Sequence, residues 1–194
     1  MRLKFVVAGL FLVLAIPTFP QAAPSATQGG LPITFGAAVS TFHTDFSRYE
    51  SGPTVWLDWN FYRGPRFLQG LSIEAEARDL NYDRTGDNPK LRQTTAGGGL
   101  LYHWQRWERI RPYGKALLGF GSISFTPRPG STYSHDTRTV FAPGGGGDFR
   151  VWRGLTVRAD YEYQFWPDWK NNHAMNPQGL TVGASYDLGH LHAQ

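Results

Sequence analysis

Ser134-His135-Asp136 puts a hydroxyl, an imidazole and a carboxylate in one run, the three groups an acyl-transfer site uses as nucleophile, base and orienting acid. Three consecutive residues do not present their side chains in one line, so this triplet reads as loop chemistry rather than a catalytic triad. His43 and Asp45 have Ser47 as the one serine on their strand face and fare no better. His190 and His192 stand two apart, so they share a face of an extended chain and could clamp a metal. Two histidines near a chain end read instead as solvated side chains. The glycine run from Gly144 to Gly147 lacks the Lys and the Ser or Thr of a phosphate loop. It reads as a place where a neighbouring strand or a bulky side chain comes close. With no cysteine, thiolate metal sites and disulfides are excluded. The expected catalytic, cofactor and metal sets are therefore empty, and the chain reads as a non-enzymatic protein.

A second kind of chemistry is more promising. Glu74, Glu76 and Arg78 alternate along one segment, and Arg158, Asp160 and Glu162 along another. Asp58, Lys115, Asp148 and Arg150 occupy matching positions in three more. Charges of both signs on one face of several strands can line a water-filled pore or neutralise one another as a polar network. An interior enclosed by about eight strands is just wide enough for side chains to fill, which favours the network over the pore.

Period-two alternation is clearest from Leu155 to Trp166, where Leu155, Val157, Ala159 and Tyr161 alternate with Thr156, Arg158, Asp160 and Glu162. The same pattern runs from Leu71 to Arg78 and from Leu180 to Leu188. Weaker examples are Ile33 to Thr41, Val55 to Phe61, Thr94 to Trp104, Tyr113 to Phe125 and Thr139 to Val151. Together they predict eight strands, an even number that returns both chain ends to one side. Long connections are expected at His43 to Pro53, Asn81 to Arg92, Thr126 to Arg138 and Pro167 to Pro177. Short ones are expected at Tyr62 to Gly70, Gln105 to Arg111 and Trp152 to Gly154. Long surface loops opposite short turns belong to membrane barrels.

Length and composition agree. The 194 residues suit one domain, and a formal charge of +4 with no long basic block argues against nucleic acid. Met1 to Lys4 and the apolar run from Phe5 to Ile16 form a secretory signal, too short to span a bilayer as a helix. The expected division is a signal peptide over residues 1–26, cleaved between about residues 22 and 26, a barrel over 31–189 and a tail over 190–194.

Alternation alone also fits a soluble lipocalin-like barrel with its apolar side inward. Three features favour the membrane version. Charges of both signs share the polar face, and aromatics such as Trp56, Trp59, Tyr102 and Trp104 crowd strand ends as interfacial girdles do. Thr181, Gly183, Tyr186 and Leu188 also fit a polar-x-Gly-x-x-aromatic-x-hydrophobic terminal strand, similar to the signal read by barrel assembly machinery. Arginine should therefore cost more at Ala75 or Ala159, on the lipid face, than at Ser72.

From about Ile33 to Leu188 the chain resembles the small outer-membrane β-barrels that include the barrel domains of the OmpA and OmpX type. Arg111-Pro112-Tyr113-Gly114-Lys115-Ala116, Leu118-Gly119-Phe120-Gly121, Gly145 to Arg150 and Gly154 to Gln164 carry the likeness. The resemblance implies an all-β, eight-stranded, up-and-down transmembrane barrel with a plugged or narrow polar interior and variable loops. It implies no activity, although some eight-stranded barrels edit lipopolysaccharide acyl chains; their His-x-Ser spacing is absent here. No peptidoglycan-binding segment is expected after the barrel. Expected partners are outer-membrane lipid with its lipopolysaccharide and, during insertion, barrel assembly machinery; the sequence names no ligand for the loops. Envelope integrity or surface interaction is the expected role, with a narrow pore, a lipid A-modifying enzyme or a periplasmic binding barrel as alternatives.

Overall fold

The computed structural model describes residues 33–44, 48–60, 68–82, 91–104, 109–125, 135–169 and 173–189. The expected leader, Asp45, Ser47, Phe61, Ser134, His190 and His192 lie outside them. Ten strands follow in order: β1 (Ile33–Thr44), β2 (Arg48–Trp59), β3 (Leu71–Tyr82), β4 (Leu91–His103), β5 (Ile110–Phe125), β6 (His135–Arg150), β7 (Leu155–Tyr163), β8 (Trp166–Trp169), β9 (His173–Met175) and β10 (Gln178–Asp187). Eight of them close a barrel in the order β1-β10-β7-β6-β5-β4-β3-β2, every pair antiparallel. Strands β8 and β9 form a separate small hairpin.

Alternation fixes the register. A slip of one residue would exchange the two faces of a strand, so each pairing is strongly specified where the faces differ this much. In β7 the burial alternates without a break, Thr156, Arg158, Asp160 and Glu162 inward and Leu155, Val157, Ala159 and Tyr161 outward. Opposite Arg158 stand Gly183 on β10 and Asp148 on β6, so the register sets a guanidinium and a carboxylate side by side on adjacent strands. The outward positions of the eight barrel strands carry charge only at Asp79 and Arg92, among the described residues. Those two pair with each other, Arg92 Nη2 lying 2.5 Å from Asp79 Oδ2. Large apolar side chains dominate the belt of that surface, including Val39 at 64 % exposure and Phe120 at 67 %. An apolar exterior around a charged interior decides the question of faces: it suits a barrel with lipid outside and is the inverse of a lipocalin.

Two expectations change. Pairing runs beyond the expected strand ends, so that His43 opposes Tyr49 and Thr44 opposes Arg48. The connection expected from His43 to Pro53 shrinks to residues 45–47, and the one from Thr126 to Arg138 shrinks to 126–134. At that end the hairpins project as paired strands, with polar outward residues such as Thr41, Ser51, Ser122 and His135 beyond the apolar belt. The segment expected as one strand from Leu155 to Trp166 also breaks after Tyr163, and Trp166 turns into the small hairpin. At the opposite end the chain turns sharply at Gly154, whose φ of 78° lies in the left-handed region that a side chain disfavours.

Ser72 differs from its sequence reading as well: it is fully buried in a filled interior, its hydroxyl donating to Asn60 Oδ1. Ala75→Arg or Ala159→Arg should cost about 2–4 kcal/mol in a bilayer, and Ser72→Arg a comparable 1–3 kcal/mol or so by overpacking. Reversible urea unfolding followed by tryptophan fluorescence separates the causes, since the Ala75 penalty should fall in detergent micelles while that of Ser72 persists.

Candidate functional site: the charged lumen

Three cations organise the interior. Arg158 on β7 donates from Nη2 to Asp58 Oδ2 on β2 at 2.7 Å and from Nη1 to Glu74 Oε2 on β3 at 2.6 Å. Its Nε donates to Asp148 Oδ1 on β6 at 2.9 Å. The guanidinium lies 4.8 Å from the ring centroids of both Trp56 and Tyr113, whose faces add attraction in a desolvated site. His103 Nε2 sits 2.9 Å from Asp148 Oδ2, extending this layer toward the turns that join β4 to β5.

A second layer lies nearer the projecting hairpins. Arg78 on β3 donates to Glu162 Oε1 at 2.7 Å, to Glu76 Oε1 at 2.5 Å and to Thr54 Oγ1 at 3.2 Å, and it stacks over Phe42 at 4.2 Å. Lys115 on β5 ties the layers together, its Nζ lying 2.6 Å from Glu76, 3.1 Å from Glu162, 3.2 Å from Glu74 and 3.7 Å from Asp160. Asp160 also accepts from the Tyr113 hydroxyl at 2.7 Å. At Gly144 a Cβ would come 2.9 Å from the Tyr161 carbonyl oxygen and 3.3 Å from Lys115 Cε, so the glycine lets β7 and the Lys115 side chain both come close.

Above the ions the lumen changes character. Gln164 donates to Glu162 at 2.9 Å and accepts from Gln93 Nε2 and from the Trp166 indole at 3.0 Å each. Trp166 is fully buried with Leu91, Leu117, Ile123, Val140 and Met175, so an apolar cap closes over the ionic layers. Gly121 permits it, since any Cβ there would run into the indole ring. A cavity of about 20 Å³ lies between Glu76, Glu162, Gln164 and Leu117, room for about one water.

Of the ten charged residues singled out from the sequence, Asp58, Glu74, Glu76, Arg78, Lys115, Asp148, Arg158, Asp160 and Glu162 are buried and meet in these two layers. Arg150 is the exception. It has lumen-facing parity on β6 but lies exposed at the end of the strand, beyond the last layer, because β6 stops there. His103, Tyr113, Thr54, Gln93, Gln164 and Trp166 were missed as members. Parity with Lys115 or Glu162 on the same strand, or with a register partner, was the signal available. Glu50 was missed too; it is fully buried, and neither carboxylate oxygen takes a hydrogen bond among the described residues.

The hydroxyl and imidazole groups considered for catalysis are dispersed. His135 faces outward, with ring nitrogens 3.2 Å from Ser122 Oγ and 3.1 Å from Thr137 Oγ1, while neighbouring Asp136 pairs with Arg138 at 3.2 Å. The His43 ring packs edge-on against Tyr49 at 5.1 Å. No group of three or more potential metal ligands occurs among the described residues.

Comparison with known proteins agrees with this geometry. The model of the outer membrane protein beta-barrel domain family matches residues 10–187. Among solved structures, Neisserial surface protein A superposes with a TM-score of 0.62 at 14 % identity, over 80 % of this chain and 95 % of that one. Ail, the attachment invasion locus protein of Yersinia pestis, gives 0.53 at 17 % identity over 79 % and 95 %. The N-terminal β-barrel domain of Pseudomonas aeruginosa OprF gives 0.50 at 14 % identity over 82 % and 100 %. No curated protein matches the sequence.

Removing Arg158 would leave Asp58, Glu74 and Asp148 facing one another in a dry interior. Arg158→Met should therefore cost about 3–5 kcal/mol. Arg92→Gln, which breaks the exposed pair on the outer face, should cost under about 1 kcal/mol. Urea midpoints of the two variants in the same vesicles test the contrast, and equal losses would refute the central role given to Arg158.

Proposed function

Because the chain belongs to the outer membrane protein beta-barrel domain family and is a bacterial outer-membrane protein, we propose that it is a non-enzymatic barrel whose interior is a structural brace and whose projecting hairpins meet the surroundings of the cell. One observation carries this reading: the three lumen cations are each held by two or more carboxylates beneath the fully buried Trp166. A conducting pore would keep such groups hydrated and apart. An enzyme would converge a nucleophile and a base, and His135 and Asp136 serve different partners instead.

The relatives support an outward-facing role. Neisserial surface protein A is a surface protein by description, Ail is described as an attachment invasion locus protein, and Ail has been solved with the heparin analogue sucrose octasulfate. By analogy, the projecting ends here serve envelope integrity or surface interaction. Lipid and lipopolysaccharide surround the apolar belt in this reading. Barrel assembly machinery delivers the chain by its closing strand, β10, which pairs with both β1 and β7.

Two measurements on the purified protein test the proposal. In planar bilayers it should give no steady conductance. After incubation with lipopolysaccharide, mass spectrometry of lipid A should find every acyl chain unchanged. Stable open currents would reassign the lumen to transport, and a lost or added acyl chain would reassign the protein to the enzymes.

A further inference from the structure

Glu50 is a buried carboxylate that the ionic layers leave out. It is fully buried on β2, and neither of its oxygens takes a hydrogen bond or an ion pair among the described residues. A carboxylate in that position is costly in its charged form, since neither water nor a cation solvates it.

The surrounding elements offer it no counter-charge. Phe42 opposes it on β1, and Phe42, Thr44 and Leu80 face inward at the same end, all of them buried. Arg78, one inward step below Leu80, is committed to Glu76 and Glu162. On β6 Asp136 and Arg138 pair with each other, and on β4 the inward residues are Leu91 and Gln93. Ile123 on β5 and Trp166 and Met175 on the small hairpin are apolar. His43 packs against the exposed Tyr49, while Arg48 begins β2 and Tyr82 ends β3.

Height in the barrel matters as much as burial. Tyr49 and Ser51, on either side of Glu50, face outward beyond the apolar belt, so Glu50 stands above the hydrocarbon at the surface end of the lumen. Burial raises its pKa from the ordinary glutamate value to about 7, and no neighbouring charge opposes that rise.

The backbone here is tied more firmly on one side than on the other. Toward β1 the ladder is unbroken from Ile33–Trp59 to Thr44–Arg48. Toward β3 it runs from Trp59–Ile73 to Thr54–Arg78, lapses at Pro53 and Gly52, and resumes at the single pair Ser51–Asn81 among the described residues. Pro53 has no N–H to give. At Gly52 a Cβ would run into the Asp79 carbonyl, so the strands pass closely there without a ladder pair. The outer end of β2 can therefore swing on these two residues.

We propose that Glu50 is a proton-operated latch: its neutral carboxyl lets the outer end of β2 pack over the lumen, and its ionisation releases that end from β3. The ionic layers below stay closed, so the latch admits water to the mouth of the barrel and leaves the brace intact. This end faces the surroundings of the cell, so the pH that sets the latch is the external one. The direction follows from linkage. Packed, the acid keeps its proton up to about 7; released, it ionises near 4.5. Packing is thus fully stable below the lower value and is lost as the pH rises to the upper one.

Hydrogen exchange of the full-length protein in detergent micelles, read by mass spectrometry and corrected for the intrinsic rate at each pH, tests the latch. Between about pH 5 and pH 7, peptides from the outer halves of β1 and β2 should lose protection by about tenfold per pH unit. Glu50→Gln, neutral throughout, should keep the protection seen at low pH. An NMR titration of the Glu50 carboxyl carbon in the wild type, which needs no variant, should have its midpoint near 7. Protection that does not change with pH in the wild type overturns the proposal, as does a loss that Glu50→Gln shares. A midpoint in the ordinary glutamate range does the same, because the carboxyl would then be ionised while packed.

Discussion

The interaction on which everything else depends is the set of ion pairs that Arg78, Lys115 and Arg158 make with the carboxylates around them. A charge removed from water costs several kcal/mol even after relaxation, and only close opposite charges with hydrogen bonds offset it. Each of these cations therefore dictates its neighbours. Asp58, Glu74 and Asp148 must come from three strands to meet Arg158, and Glu76 and Glu162 from two to meet Arg78. A barrel of eight strands is the size at which opposite walls are near enough for side chains to do this. Strand number, register and lumen chemistry are one constraint expressed three ways.

The exterior is the complement. With one exposed pair, Asp79 and Arg92, the described outward positions are uncharged, and the belt between strand ends is built from Phe, Val, Leu, Ala and Gly. Small residues on the inner face are dictated by the rings that fill the lumen. Gly36 exists because Trp56 lies across it, and Gly121 because Trp166 does, so inward-facing glycines record where an aromatic ring occupies the lumen. The apolar cap beneath the small hairpin then separates the ionic layers from the outer surface, with Gln164 as the link that bonds to both.

Much of this could be read in the residues themselves, because period two is a geometric property of extended chain. The faces of β3, β7 and β10 were legible from Leu71, Leu155 and Leu180 onward, and with them six of the nine lumen charges, while Asp58, Lys115 and Asp148 came from the weaker alternation of β2, β5 and β6. What parity cannot supply is height. Arg150 shares a face with Asp148, yet it comes one step past the last layer, where β6 ends. Nor does parity show where pairing stops: Thr44 and Arg48 are polar and next to a turn, but the ladder continues through them because backbone bonds do not depend on side-chain polarity. Trp166 has the parity of Glu162 and Gln164 and faces inward as the alternation expects; what parity does not show is that it caps the ionic layers from the small hairpin.

The long sequence separations inside the lumen bear on how such a chain can enter a membrane at all. Arg158 and Asp58 are 100 residues apart, and Arg78 and Glu162 are 84 apart, on opposite sides of the sheet order. In an open sheet these partners are far apart, and Arg158 and Arg78 would keep only Asp148 on the adjacent strand and Glu76 on the same one. The pairs that cross the lumen, Arg158 with Asp58 and Glu74 and Arg78 with Glu162, consequently form together, when β10 meets β1. Until then the concave face must stay in water, since lipid offers those groups no partner. A chain built this way cannot be threaded into the bilayer strand by strand; curling and seam closure have to accompany its passage inward, so the brace that holds the finished barrel also sets the timing of its assembly.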